Sequence, residues 1–149
     1  MKRQIENLKK DDLRPGDQAW VVFDQDNWGQ DLIELVWDWS KERPKDRGVG
    51  FSSPQFEWWL LLHFEEGSGA FTQKEILSRL ELYIPAYTKG RADQLPHGEQ
   101  EFQQAIRRAK SKVQNLPQDF SGTRDILGGF TTVHFLVERI LQAVKASSK

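Results

Sequence analysis

The chain has no cysteine, which excludes disulfide staples, thiolate metal sites and thiol nucleophiles. Net charge is nearly absent as well. A formal −1 at pH 7 gives no global basic field for gripping nucleic acid, so any such contact must be local. Long hydrophobic runs are missing: no stretch approaches the ~18 apolar residues of a membrane span. The segment Met1–Lys10 lacks the apolar core of a signal peptide. There is no internal repeat, low-complexity tract or domain linker. These absences predict a soluble protein of the cytoplasm with no membrane partner. Aromatic residues, by contrast, are plentiful. Six tryptophans and nine phenylalanines among 149 residues, with 38% hydrophobic content, suit a single compact domain with an aromatic-rich core or a docking surface.

The most informative segment is Ala19-Trp20-Val21-Val22-Phe23-Asp24-Gln25-Asp26. Five apolar residues run into two carboxylates, the pattern of a strand buried on both faces of a parallel sheet. In open α/β sheets the ligand crevice lies off the carboxyl ends of the strands, where Asp24 and Asp26 fall. Two neighbouring carboxylates repel unless a cation or a shared proton intervenes, and a hard divalent cation such as Mg²⁺ takes oxygen ligands. The simpler reading is a turn that carries two solvated aspartates.

Elsewhere the pattern is mostly helical. Residues 3–11 read as a charged helix. Leu32, Leu35, Val36 and Trp39 mark a helix near 29–42 that stops before Pro44. Residues 48–52 read as a second short strand. Ser53-Pro54 supplies a cap and a first-turn proline for a helix Gln55–Glu65, apolar nearly all round and so central, packed by the terminal helix. Thr72 and Glu75 form a capping-box pattern for a helix near 73–83. Residues 85–98 form a loop long enough to suspect of function. A helix near 98–115, a loop over 117–129 and a final helix capped by Thr131 or Thr132 complete the chain.

Three segments taken together resemble a known family. Residues 20–26 resemble the aspartate-pair strand of Toprim domains. The block Phe51-Ser52-Ser53-Pro54-Gln55-Phe56-Glu57-Trp58-Trp59-Leu60-Leu61-Leu62-His63-Phe64-Glu65 is similar to the "SNP-x-FE-x-W-LLLHF" block of the RloB-like family, and residues 131–138 to its terminal "TTVH-LVE" helix. Tyr87-Thr88-Lys89 and residues 105–110 match its "Y-x-K" and "AI-x-RA" segments in order. The resemblance implies a single α/β domain, a helix-rich remnant of a Toprim-like parallel sheet with few strands and about five helices. It also implies Mg²⁺-dependent phosphodiester cleavage in an anti-phage or restriction-associated system, with nucleic acid as substrate and an AAA-type ATPase as partner. Asp24 and Asp26 map onto the family's aspartate pair. The family's "TEG-x-x-TE" turn, which carries a catalytic glutamate, has no counterpart here, so the resemblance implies an N-terminally truncated and catalytically incomplete member. Ser53 stands where the family carries asparagine.

Several residues have both a chemical and a structural reading. Asp24 and Asp26 are the candidate metal ligands, holding Mg²⁺ weakly, and Asp24, Asp26, Glu57 and His63 the candidate catalytic set. Glu57 could instead stabilise a helix N-terminus and bond a neighbouring loop. His63 and His134 could be satisfied core residues, His134 with a depressed pKa and a neutral ring. Lys89 and Arg91, in the long loop, are candidates for substrate phosphate, while Arg107, Arg108, Lys110 and Lys112 read as a solvated helix face. Two functions follow: a Toprim-related nuclease domain, or a non-catalytic interaction module whose exposed apolar surface docks a partner or is covered by self-association in a homodimer.

Overall fold

The apolar run ending at Asp24 forms strand β1 (Ala19–Asp24) in a computed structural model that describes residues 3, 6, 7, 13–25, 28–70, 72–113 and 129–148. Helix α1 (Gln30–Glu42), strand β2 (Arg47–Ser53), helix α2 (Glu57–Leu61), helix α3 (Gln73–Tyr83) and a single 3₁₀ turn (Ala92–Gln94) follow. Helix α4 (Glu99–Lys112), strand β3 (Phe130–Thr131) and helix α5 (Val133–Ser147) complete the order. Of the helix expected over 3–11, Arg3, Glu6 and Asn7 are described, each exposed and helical. Asp26 and most of the 117–129 loop lie outside the described residues.

The sheet is three-stranded, in the order β1-β2-β3. Strands β1 and β2 run parallel, Ala19 beside Arg47 through to Asp24 beside Ser52. The chemistry of β2 explains how it is covered. Val49 and Phe51 point to one side, into a cluster with Ile33, Val36, Trp37 and Trp39 of α1. Gly48 and Gly50 point to the other, where α5 packs: a Cβ on Gly50 would lie 3.5 Å from Val133. A second cluster joins α2, α3 and α4 through Trp58, Trp59, Leu61, Leu62, Ile76, Leu80 and Ala105, with Val133 of α5. The capping box of α3 is formed as its sequence predicts: Thr72 Oγ1 accepts from the Glu75 amide (3.2 Å) and Glu75 accepts from the Thr72 amide (2.9 Å).

Three features differ from the sequence reading. The strand expected to be buried on both faces is the end of the described sheet, and Val22 is 48% exposed. Helix α5 covers β2 rather than β1, which leaves the β1 side chains on that face half covered. Helix α2 is shorter than residues 55–65, and the strand before it runs on through Ser53, where Ser52 and Ser53 pair with Thr131 and Phe130. Ser53 therefore bonds Gln25 rather than capping a helix, although hydrogen-bonded turns carry the chain on to Glu65. The third strand, β3, is antiparallel and only two residues long, and no periodicity announces it. Helix α2 packs chiefly on α3, with Val137 and Leu141 of α5 at the margin of its cluster. Its residues are all buried, both tryptophans included.

Candidate functional site

The parallel pairing continues one residue past β1, as the Gln25 amide donates to the Ser52 carbonyl (2.9 Å). Asp24 is thus delivered to the carboxyl end of the sheet, half-buried. Ser53 Oγ donates to Gln25 Oε1 (2.5 Å), and the Ser52 and Thr131 hydroxyls bond each other (2.8 Å), so the three strand ends are tied together there.

Glu57, the first residue of α2, is 3% exposed. Its Oε1 accepts from the Tyr87 hydroxyl (3.1 Å) and lies 3.5 Å from Lys89 Nζ, while its buried Oε2 has no partner among the described residues. A buried carboxylate oxygen left without a donor is costly, and a water, a proton donor or a cation can satisfy it. Lys89 Nζ also donates to Gln55 Oε1 (3.3 Å), and Gln55 Nε2 donates to the Gln73 carbonyl at the start of α3 (3.2 Å). Asp24 belongs to the same electrostatic group. Burial first, then the charge of Glu57 and the hydrogen bond to it, then the charge of Asp24 push the Tyr87 phenol up to about 12. Tyr87 is therefore a protonated donor at neutral pH, bonded to Glu57 and within the field of Asp24.

The loop over 85–98 reaches this position through a clamp. Gln94 Oε1 accepts from the Thr88 amide (2.9 Å) and its Nε2 donates to the Ala86 carbonyl (3.2 Å). Ala86 sits at φ 58°, a left-handed conformation uncommon for a residue with a Cβ. Tyr87 and Lys89, two residues apart, both reach the Glu57 carboxylate. That i, i+2 spacing was a readable signal for their common target, and Tyr87 and Gln55 are the members that residue-by-residue reading missed.

Other candidates lie elsewhere. The Arg91 guanidinium is engaged by Asp93 (2.6 and 3.1 Å), whose carboxyl it holds below the usual range. His63 serves the packing of the α2 segment against α4. Its Nδ1 bonds the Trp59 and Leu60 carbonyls (3.0 and 3.2 Å), and its ring meets Trp59 and Phe102 edge-on. Burial holds its pKa below the ordinary histidine value. His134 is fully buried, its Nδ1 donating to the Thr131 carbonyl (3.1 Å), and burial pushes its pKa down to about 4, which leaves the ring neutral. Arg107 and Lys112 are exposed, Lys110 pairs with Glu138 (2.9 Å), and Arg108 donates to the Leu62 carbonyl (2.8 Å), joining α4 to the end of the α2 segment.

Among the described residues no three His, Cys, Asp or Glu side chains converge as a metal site. Asp24 and Glu57 nevertheless supply hard oxygen donors, one of them orphaned, and this donor set fits a cation that keeps several of its waters.

Fold and site together define a helix-rich α/β domain with an acidic, lysine-flanked group at one end of a small mixed sheet. The chain belongs to the RloB-like protein family, whose model matches residues 1–140. No curated protein and no solved structure matches the chain.

Proposed function

We propose that this chain is a Toprim-related, Mg²⁺-dependent nuclease-type domain of an anti-phage or restriction-associated system, with a metal held by Asp24, Asp26 and Glu57. The observation that carries this reading is the unpartnered Oε2 of Glu57, buried in a group that also holds Tyr87, Lys89 and Asp24. A divalent ion there would polarise a phosphate and balance charge at the scissile bond. Lys89 binds a phosphate oxygen, being 60% exposed while its ammonium is anchored by Glu57 and Gln55. Tyr87, protonated, fixes the Glu57 carboxylate so that its second oxygen keeps one direction. Tyr87, held protonated, cannot serve as a proton-transfer group near neutral pH, and cleavage by the isolated chain should be very slow or absent.

The test is Mn²⁺ titration followed by paramagnetic broadening of amide resonances. Broadening confined to the neighbourhoods of Asp24 and Glu57, and lost in Glu57→Gln, is the expected result. Glu57→Gln retains an acceptor for Tyr87 while it removes the charge that pairs with Lys89 and would bind a metal. Uniform or absent broadening at millimolar Mn²⁺ would remove the metal reading.

One observation favours a second reading, an interaction module. Strand β1 ends the described sheet with Val22 exposed and no proline or lysine in the strand to discourage pairing. If β1 pairs with a second copy, sedimentation should show a dimer that Val22→Lys dissociates. A monomer at high concentration would count against it.

A further inference from the structure

At the other end of the sheet from Asp24, where β1 and β2 begin, the structure has a cleft of about 500 Å³ between the end of α1 and helix α5. Four residue steps along β1, from Trp20 to Asp24, separate the two places by roughly 13 Å, and Asp24 and Glu57 are not among the residues that line the cleft. Its size lies in the range, about 300–1,000 Å³, of pockets that hold small molecules.

Trp20 forms part of the cleft wall. One face of its indole rests on Gly48, where an added Cβ would fall 2.5 Å from three ring carbons at once. The residue is half-buried, so part of the indole remains open to solvent. Cations gather beside it: Lys45, Arg47 and Arg139 all line the cleft. Arg47 is anchored by its Nη1 to the Trp39 carbonyl and to Glu42 (both 3.0 Å), yet its buried Nε–H has no hydrogen-bond partner among the described residues. Lys45 and Arg139 form no ion pair among the described residues. The single carboxylate of the lining, Glu138, is engaged by Lys110. Gln18 Oε1 accepts from both Trp20 Nε1 (3.1 Å) and Arg139 Nε (3.4 Å), which fixes the guanidinium at the edge of the indole.

A flat aromatic face with two uncompensated cations on its rim matches a planar ring bearing an anionic group of several oxygens. Guanidinium recognises phosphate through paired N–H donors, and an indole face accepts any nucleobase. We propose that this cleft binds a free nucleoside monophosphate. The base stacks on Trp20 and the phosphate is held by Arg139 and Lys45. The site is independent of any metal at Asp24 and Glu57.

The test is NMR titration of the ¹⁵N-labelled chain, with the Trp20 indole resonance assigned through Trp20→Phe. AMP should shift that resonance saturably, while adenosine and inorganic phosphate should each require about tenfold more ligand, because each supplies half of the recognition. A Lys45→Gln/Arg139→Gln double variant should weaken AMP by at least about tenfold with its spectrum otherwise intact; both residues are exposed, so the fold survives their change. Equal affinity for adenosine or for phosphate alone would overturn the proposal. So would an unchanged AMP response in the double variant, no response to AMP, or a response to single-stranded dA decamer without one to AMP.

Discussion

At the scale of single residues, protonation carries the clearest consequences. Tyr87 holds its proton more tightly in the folded chain, with a pKa of about 12, than a phenol in the unfolded chain near 10. The folded state therefore binds more protons between those values, and stability falls as pH rises from about 10 to 12. Tyr87→Phe should flatten that decline, read as urea midpoints across this alkaline window. His134 works in the opposite direction. With its folded pKa pushed down to about 4, the unfolded state takes up the proton first, so stability present above about pH 6.5 is lost as pH falls towards 4. Buried His63 shifts the same way and adds to the slope. A His134→Gln variant should therefore lose part of the difference in urea midpoint between pH 7 and pH 5, rather than all of it.

At the scale of elements, the α2 segment is the most demanding part of the fold. Trp59 and Leu62 are at most 3% exposed, and replacing either by alanine should cost on the order of 3 kcal/mol in denaturant unfolding. Two glycines make room for its neighbouring tryptophan. A Cβ on Gly67 would meet the Trp58 ring at 2.4 Å and one on Gly129 at 2.6 Å, and Gly67 also has φ +73°. Gly67→Ala should lower stability by roughly 1–3 kcal/mol, from overpacking together with backbone strain. Local pattern explains why some elements were legible beforehand and others were not. The capping box and the 3.6-residue spacing placed α3 and α5 closely, because both signals lie within the helix itself. The start of α2 was misread. Ser53-Pro54 is a good helix opening on its own terms, and only the distant pairing of Ser53 with Phe130 makes it strand.

At the scale of the whole molecule, the two apolar clusters meet at the threonine pair that joins β3 to α5. Thr132 Oγ1 accepts from the Phe51 amide (2.9 Å) and donates to the Val49 carbonyl (2.7 Å), inserting a side chain where a strand backbone would bond. Phe130 before it lies in one cluster and Val133 after it in the other. Thr132→Val would leave a buried amide and carbonyl unsatisfied, costing about 1–3 kcal/mol. Near- and far-ultraviolet circular dichroism should then shift together in a single transition. Separate transitions would show that the clusters melt independently. The acidic group has the same long-range origin. Asp24, Glu57 and Lys89 could be named one at a time from their segments, whereas Tyr87 sharing the Glu57 carboxylate with Lys89 depends on a loop held by Gln94. The cleft around Trp20 was illegible for the same reason, since Gly48, Gln18 and Arg139 gather there from three separate parts of the chain.

The paired approach of Gly67 and Gly129 to one indole also has a bearing on how such a sequence can drift. Each glycine gains a methyl group only at a cost while Trp58 is present, and Trp58 cannot shrink without opening a void between them. The three positions form a block in which single steps are penalised and compensated double steps are open, so descent through a smaller ring at 58 must precede alanine at 129. A Trp58→Phe background should thus tolerate Gly129→Ala better than the parent chain does, with a coupling energy between the two changes that is favourable in sign.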